Sequence, residues 1–144
     1  MSYDLYLVDP ISRKTLELDA PHQMRGGTYA MGGTTECRLN ITYNYAKHFW
    51  RVFEELPAPR PLAPEWMHKM AAVDREIPDA VTGIRTLYGL SGAESLPILN
   101  LAIARLKDDV TDNYWDGTEG NAKRALIQLR ALATLRPDGI WDGD

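Results

Sequence analysis

Two Gly-Gly-Thr units, Gly26-Gly27-Thr28 and Gly32-Gly33-Thr34, stand six residues apart and follow Arg25. Consecutive glycines let successive backbone N–H groups converge on an anion. Thr28 and Thr34 add hydroxyl donors, and the Arg25 guanidinium can bind phosphate or carboxylate in bidentate fashion. The same residues also fit a pair of tight turns joining strands, with Tyr29 and Met31 packed inward. The spacing is neither the GxxxxGK[ST] of a P-loop nor a GxGxxG fingerprint opening a helix. A second cluster, Thr118-Glu119-Gly120-Asn121-Ala122-Lys123-Arg124, reads as a helix N-terminus, whose free N–H groups and dipole attract anions. Lysine and arginine in a first turn oppose that dipole. A ligand held by Asn121, Lys123 and Arg124 would neutralise them, and so would an acidic neighbour such as Glu119 or Asp116. A third cluster, Asn40, Tyr43, Asn44 and Tyr45, combines amide groups with aromatic faces, the chemistry that reads a planar base. Its alternative role is to cap and rim a helix.

Other chemistries find little support. His22, His48 and His68 show no metal-ligand spacing, and no serine lies in a GxSxG setting. Cys37 is alone, with no CxxC partner and no base nearby in sequence. Asp112, Asp116 and Gly117 resemble part of a calcium loop, but Tyr114 stands where an oxygen ligand is required and Lys123 where the bidentate glutamate belongs. Neither catalytic residues nor a metal or cofactor are assigned, and a non-enzyme is expected.

The elements that position these clusters follow from composition and periodicity. The chain has 144 residues, 44% apolar and 25% charged, the profile of a single globular domain spanning 1–144. A net charge of −4 argues against broad phosphate-backbone binding, so nucleic acid is not the expected partner. No apolar window spans a membrane and the opening residues lack a secretory signal, which predicts a soluble cytoplasmic protein.

Residues 3–8 and 15–18 are β-prone and flank Asp9-Pro10-Ile11-Ser12, predicting a β-hairpin. Residues 39–43 alternate like a strand, and Tyr45, Phe49, Val52, Phe53 and Leu56 place an amphipathic helix over about 44–56. Pro57, Pro59, Pro61 and Pro64 end it, and a further helix is expected over about 64–75. A short helix is expected near 83–89. The next begins at Ser91 or Ser95 and carries Leu96, Leu99, Ile103, Leu106 and Val110 on one stripe. Thr118 or Asp116 caps the last helix, which Arg136-Pro137 ends, and Trp141 is expected to dock the tail. The predicted fold is α+β: an N-terminal β-hairpin or small sheet followed by a mostly helical bundle of four or five helices.

The segments Arg25-Gly-Gly-Thr-Tyr, Gly32-Gly-Thr-Thr-Glu, Asn40-Ile-Thr-Tyr-Asn-Tyr, Gly83-Ile-Arg-Thr-Leu-Tyr-Gly, Thr118-Glu-Gly-Asn-Ala-Lys-Arg-Ala-Leu and Arg136-Pro-Asp-Gly-Ile-Trp-Asp-Gly-Asp together resemble a group of short proteins encoded by bacteriophages and prophages. The resemblance covers most of the chain except 57–82, which looks like a variable Pro-rich insertion or connector. It implies a small accessory phage protein of the bacterial cytoplasm, a category that includes inhibitors of host defence.

These readings lead to one functional expectation: a protein that binds and sequesters a small anionic nucleotide-like ligand without catalysis. Arg25, Gly26, Gly27, Thr28 and Thr34 would hold the charged part, Asn40, Tyr43 and Asn44 the planar part, and Asn121, Lys123 and Arg124 would close the site. The alternative expectation is an inhibitor of a host defence protein that presents an acidic surface around 108–116 and at the tail. Four tryptophans in so short a chain also suit shared surfaces, so a homo-oligomer is compatible with either.

Overall fold

The computed structural model describes residues 2–22, 28–29, 33–56 and 83–144. The fold is α+β. An antiparallel sheet of four strands is built from β1 (Ser2–Val8), β3 (Thr28–Tyr29), β5 (Arg38–Thr42) and β6 (Ile140–Gly143), in the order β3-β5-β1-β6. A two-stranded sheet pairs β2 (Glu17–His22) with β4 (Thr34–Glu36). The α-helices among the described residues are α1 (Ala46–Glu54), α2 (Gly92–Ala104) and α3 (Glu119–Leu135), with 3-10 turns at Tyr43–Tyr45 and Gly83–Leu87. The proline segment and the helix expected over 64–75 lie outside the described residues.

Strand alternation builds the core. Tyr3, Leu5 and Leu7 point to one face of the sheet, beside Leu39 and Ile41 of β5 and Trp141 of β6. They form one buried cluster with Phe49, Val52 and Phe53 of α1, Leu99 and Ala102 of α2, and Leu126, Leu129 and Leu132 of α3. The opposite face carries Ser2, Asp4 and Tyr6 against Asn40, Arg38 and Asp142 and is partly open to solvent. Partial burial pushes the Tyr6 phenol upward, and the charges of Asp142, Asp144 and Asp4 add to it.

Several sequence expectations are met. Asp9 forms the anticipated turn, its Oδ1 accepting from the N–H groups of Ile11 and Ser12 at 2.8 Å each, which holds its carboxyl below the usual range. Ser91 caps α2 in a full capping box with Glu94, so the helix starts there and not at Ser95, and Pro97 lies inside it. Thr118 caps α3. Trp141 is wholly buried and its indole N–H donates to Ser95 Oγ at 2.8 Å.

Others are corrected. The hairpin begins as expected, with Leu16 N donating to Leu7 O and a bridge between Val8 and Thr15, but β2 then leaves β1 and pairs with β4. The helix read over 44–56 is a 3-10 turn followed by α1, because the Thr42 hydroxyl caps Asn44 and starts a tight turn first. The short element near 83–89 is likewise a 3-10 turn. Val110 does not extend the α2 stripe: α2 ends at Ala104, and Val110 is exposed in the loop beyond. The tail is a strand, since Trp141 N donates to Leu90 O and β6 pairs with β1.

Candidate functional site

The loop between α2 and α3 folds back on the helix it precedes. Asp109 Oδ1 accepts from Gly120 N at 3.0 Å, and Thr118 Oγ1 accepts from Asn121 N at 3.1 Å, so the first turn of α3 has intramolecular acceptors. The loop can approach this closely because residue 120 is glycine: a Cβ there would lie 2.6 Å from the backbone of Asp109 and Val110. Lys123 Nζ pairs with Asp108 at 2.7 Å. Two acidic residues next to each other thus offset the helix dipole and one of the two early cations.

Asn121 pins the rest of the loop. Its side chain is wholly buried; Nδ2 donates to Thr111 Oγ1, Asn113 O and Asp116 O at 3.0, 3.2 and 3.0 Å, while Oδ1 accepts from Thr111 N at 3.1 Å. Residues after β5 hold the loop from the other side. Asn44 Nδ2 donates to Trp115 O at 2.6 Å, Tyr45 Oη donates to Tyr114 O, and His48 Nε2 bonds Gly117 O at 2.8 Å. Gly117 has no room for a side chain against the Asn44 carbonyl, 2.8 Å from where a Cβ would sit.

At the tip of this fixed loop, Trp115 is 48% exposed and its ring lies against Tyr114, centroids 4.7 Å apart and planes 36° apart. Burial pushes the Tyr45 phenol up to about 12, and the charge of Arg124 partly counters it. Arg124 therefore stands near the tyrosine that holds Tyr114, and it forms no ion pair or hydrogen bond among the described residues. Loop and 3-10 turn together present the half-exposed Trp115 ring and Asn44, whose amide donates to the Trp115 carbonyl.

The residues singled out in sequence are distributed as follows. Asn44, Asn121 and Lys123 converge on this loop and are all bonded to it, while Arg124 follows on α3 with its charge acting on Tyr45. Asn40 lies on the open face of the sheet, donating to Ser2 Oγ at 2.7 Å and Asp4 Oδ1 at 2.8 Å. Tyr43 belongs to an aromatic group, its ring 4.4 Å from Tyr3 and its hydroxyl accepting from Arg85 Nη2 at 3.4 Å. Arg85 also lies over the Tyr3 ring, and both it and Tyr88 donate to the carbonyl oxygen of Asp144. Thr34 begins β4, and its Oγ1 accepts from Glu36 N at 3.0 Å. Thr28 pairs with Ile41 across β3 and β5, and Gly33 takes a φ of +76° just before β4. Arg25, Gly26 and Gly27 lie outside the described residues.

Sequence reasoning missed Tyr114 and Trp115, and it missed Asp108 and Asp109 as partners of α3. A signal was present: paired aspartates that suit a helix C-terminus poorly stand shortly before a helix N-terminus that needs them. Nucleophilic chemistry has no foothold at Cys37, which is wholly buried with its thiol pushed up to about 12 by desolvation. Among the described residues, no group of three or more His, Cys, Asp or Glu side chains is arranged to hold a metal ion. No helix among them is long and apolar enough to cross a membrane. No family model, curated protein or solved structure matches this chain.

Proposed function

We propose that the protein is a non-catalytic binding protein that captures a small anionic nucleotide-like ligand on the 111–118 loop. Trp115 and Tyr114 stack on its planar part, the free groups of the Asn44 amide read the edge of that plane, and Arg124 takes the charge. The observation that carries this reading is the half-exposed Trp115 on a loop fixed by Asn121, Asn44 and Tyr45. An aromatic surface already held in place loses little entropy on binding, so its stacking energy is retained as affinity. With the resemblance to phage proteins, this supports an accessory role in the bacterial cytoplasm, sequestering a nucleotide signal of host defence.

Native mass spectrometry of the protein before and after incubation with a bacterial nucleotide extract tests the reading. The expected result is an adduct of nucleotide mass that is lost in Trp115→Ala and Arg124→Ala and kept in Trp50→Ala. Absence of any adduct refutes it.

A second reading is inhibition of a host protein through the acidic character of the same loop, where Asp108, Asp112 and Asp116 are exposed. Reversing Asp112 discriminates: it weakens inhibition of a protein partner under this reading and leaves the nucleotide adduct intact under the first, whereas Asp116 is unsuitable because it accepts from Thr111 Oγ1 and Asn113 Nδ2 inside the loop. Asp109 is unsuitable for that test because it caps α3.

A further inference from the structure

The second limb of the 111–118 loop runs on alongside α1. Trp115, Gly117 and Glu119 meet Asn44, His48 and Arg51 in turn, at 2.6, 2.8 and 2.5 Å. Those three partners stand four and then three residues apart, so a single face of the 3-10 turn and α1 carries the whole seam. The seam starts beside the half-exposed Trp115 ring and reaches Arg51, seven residues and about 10 Å further on.

Cations gather along it. Lys47 is exposed on the same face, three residues after Asn44 and four before Arg51, and it forms no ion pair or hydrogen bond among the described residues. Arg51 and Lys107 both face the one Glu119 carboxylate, at 2.5 and 4.0 Å, and the Lys107 side chain is 80% exposed. One carboxylate thus stands against three positive charges. Asp116 borders the ring end of the seam, and Glu54, three residues beyond Arg51, borders the far end. Between these borders positive charge is in excess, although the chain as a whole carries −4. Lys47 and Arg51 are a like-charge pair at the i, i+4 spacing, which by itself is unfavourable and which an anion laid between them would reverse.

We propose that the ligand of the loop site is a nucleoside polyphosphate, its base on Trp115 and its phosphate chain along this seam over Lys47, Arg51 and Lys107. The inference rests on the proposed function for the base and adds the chemical class of the ligand. A polyphosphate carries its charge along a line, as the seam does. A nucleoside has nothing to place there, and a monophosphate meets only the near end. Arg51 holds Glu119 through Nη2, and its other N–H groups have no partner among the described residues, so it can donate to phosphate without giving up that pair. These cations add to Arg124, which lies on the α3 side of the loop.

Equilibrium dialysis of the full chain against an equimolar mixture of the four ribonucleosides, their monophosphates and their triphosphates, read by mass spectrometry, tests the proposal. The expected result is triphosphate retained about tenfold over monophosphate, with that ratio falling close to unity in Lys47→Gln combined with Lys107→Gln and unchanged in Lys14→Gln. Salt at about 0.5 M should lower the ratio as well, because the seam is exposed and screened. Both lysines are exposed, so the double variant keeps the fold. A purely structural role for them would weaken all three classes together and leave the ratio as it was, which overturns the proposal. Monophosphate or nucleoside retained as well as triphosphate also overturns it. Retention that depends on Trp115 but ignores the phosphates removes this inference and leaves the proposed function standing, whereas no retention of any class removes both.

Discussion

Replacing Asn121 with alanine removes the one buried side chain that holds the 111–118 loop against α3. Four hydrogen bonds disappear at once; Thr111 N loses its acceptor, while Asn113 O keeps Asp116 N and Thr111 Oγ1 as donors and Asp116 O keeps Thr118 N. Each typical bond is worth about 1 kcal/mol net, and a buried group left unpaired costs about 1–3 kcal/mol. Two facts reduce the sum: the amide has only two hydrogens for three acceptors, and Asn113 and Asp116 are exposed enough to be rehydrated. The expected loss is therefore about 3 kcal/mol. That is a large share of the ~5–15 kcal/mol by which a domain of this kind is stable. In urea, with a slope of about 2 kcal/mol/M, the midpoint falls by roughly 1.5 M while the slope stays constant. Hydrogen exchange should show the amides of 111–118 losing protection before those of β1 and β5. A loss under about 1 kcal/mol, or exchange in the loop that does not change, refutes the assignment of Asn121 as its anchor.

Ser95→Ala leaves the buried Trp141 indole N–H without an acceptor and is expected to cost about 1–3 kcal/mol in chemical denaturation. Cys37 should resist a thiol reagent at pH 8 in the native protein and react at once in denaturant, since its thiol is buried and raised to about 12; fast native labelling contradicts the packing of β5 and β1 around it. The Glu119 carboxyl is held below its ordinary 4.5 chiefly by the hydrogen bond from Arg51. The Asp138 carboxyl is held below its ordinary 3.8 by Arg136. Both native values are depressed, so their contributions are present above the unfolded values and are lost as pH falls through the native ones. Arg51→Met should lower stability near neutrality and flatten the profile below about pH 5, so that parent and variant converge in acid.

Local chemistry was the part of the fold most legible in the sequence. The Asp9 turn, the Ser91 and Glu94 capping box, the Thr118 cap and the docking of Trp141 each depend on residues within a few positions of one another or on one large apolar side chain with a single way to be buried. What misled was pairing at long range. Thr15-Leu16-Glu17-Leu18 has the alternation of a hairpin partner, yet alternation does not say which strand it joins, and β2 finds β4 instead. The tail was readable as docked but not as a strand, because four residues pair with β1 across almost the whole length of the chain. The same limit applies to the site. Composition pooled Asn40, Tyr43 and Asn44 as neighbours, but a strand and a 3-10 turn send them to three places: the open sheet face, the Tyr3 ring and the Trp115 carbonyl.

Under the proposed function, one set of residues in the loop between α2 and α3 serves stability and recognition together. Asp109 turns inward to the α3 N-terminus and Asp108 to Lys123, Asn121 takes up the polar backbone of the loop, and Tyr45 and Asn44 hold its carbonyls from the other side. With these groups satisfied, the loop presents an indole ring outward, and Arg124 forms no ion pair or hydrogen bond among the described residues. Conventional loop binding surfaces are ordered by their ligand and lose affinity to that ordering. Here the ordering is complete before any ligand arrives, so removing an anchor and removing the ring must act differently. Trp115→Ala should abolish binding without loss of stability, because its ring lies on the surface. Asn121→Ala should weaken binding and stability together, because the ring remains but no longer has a fixed position.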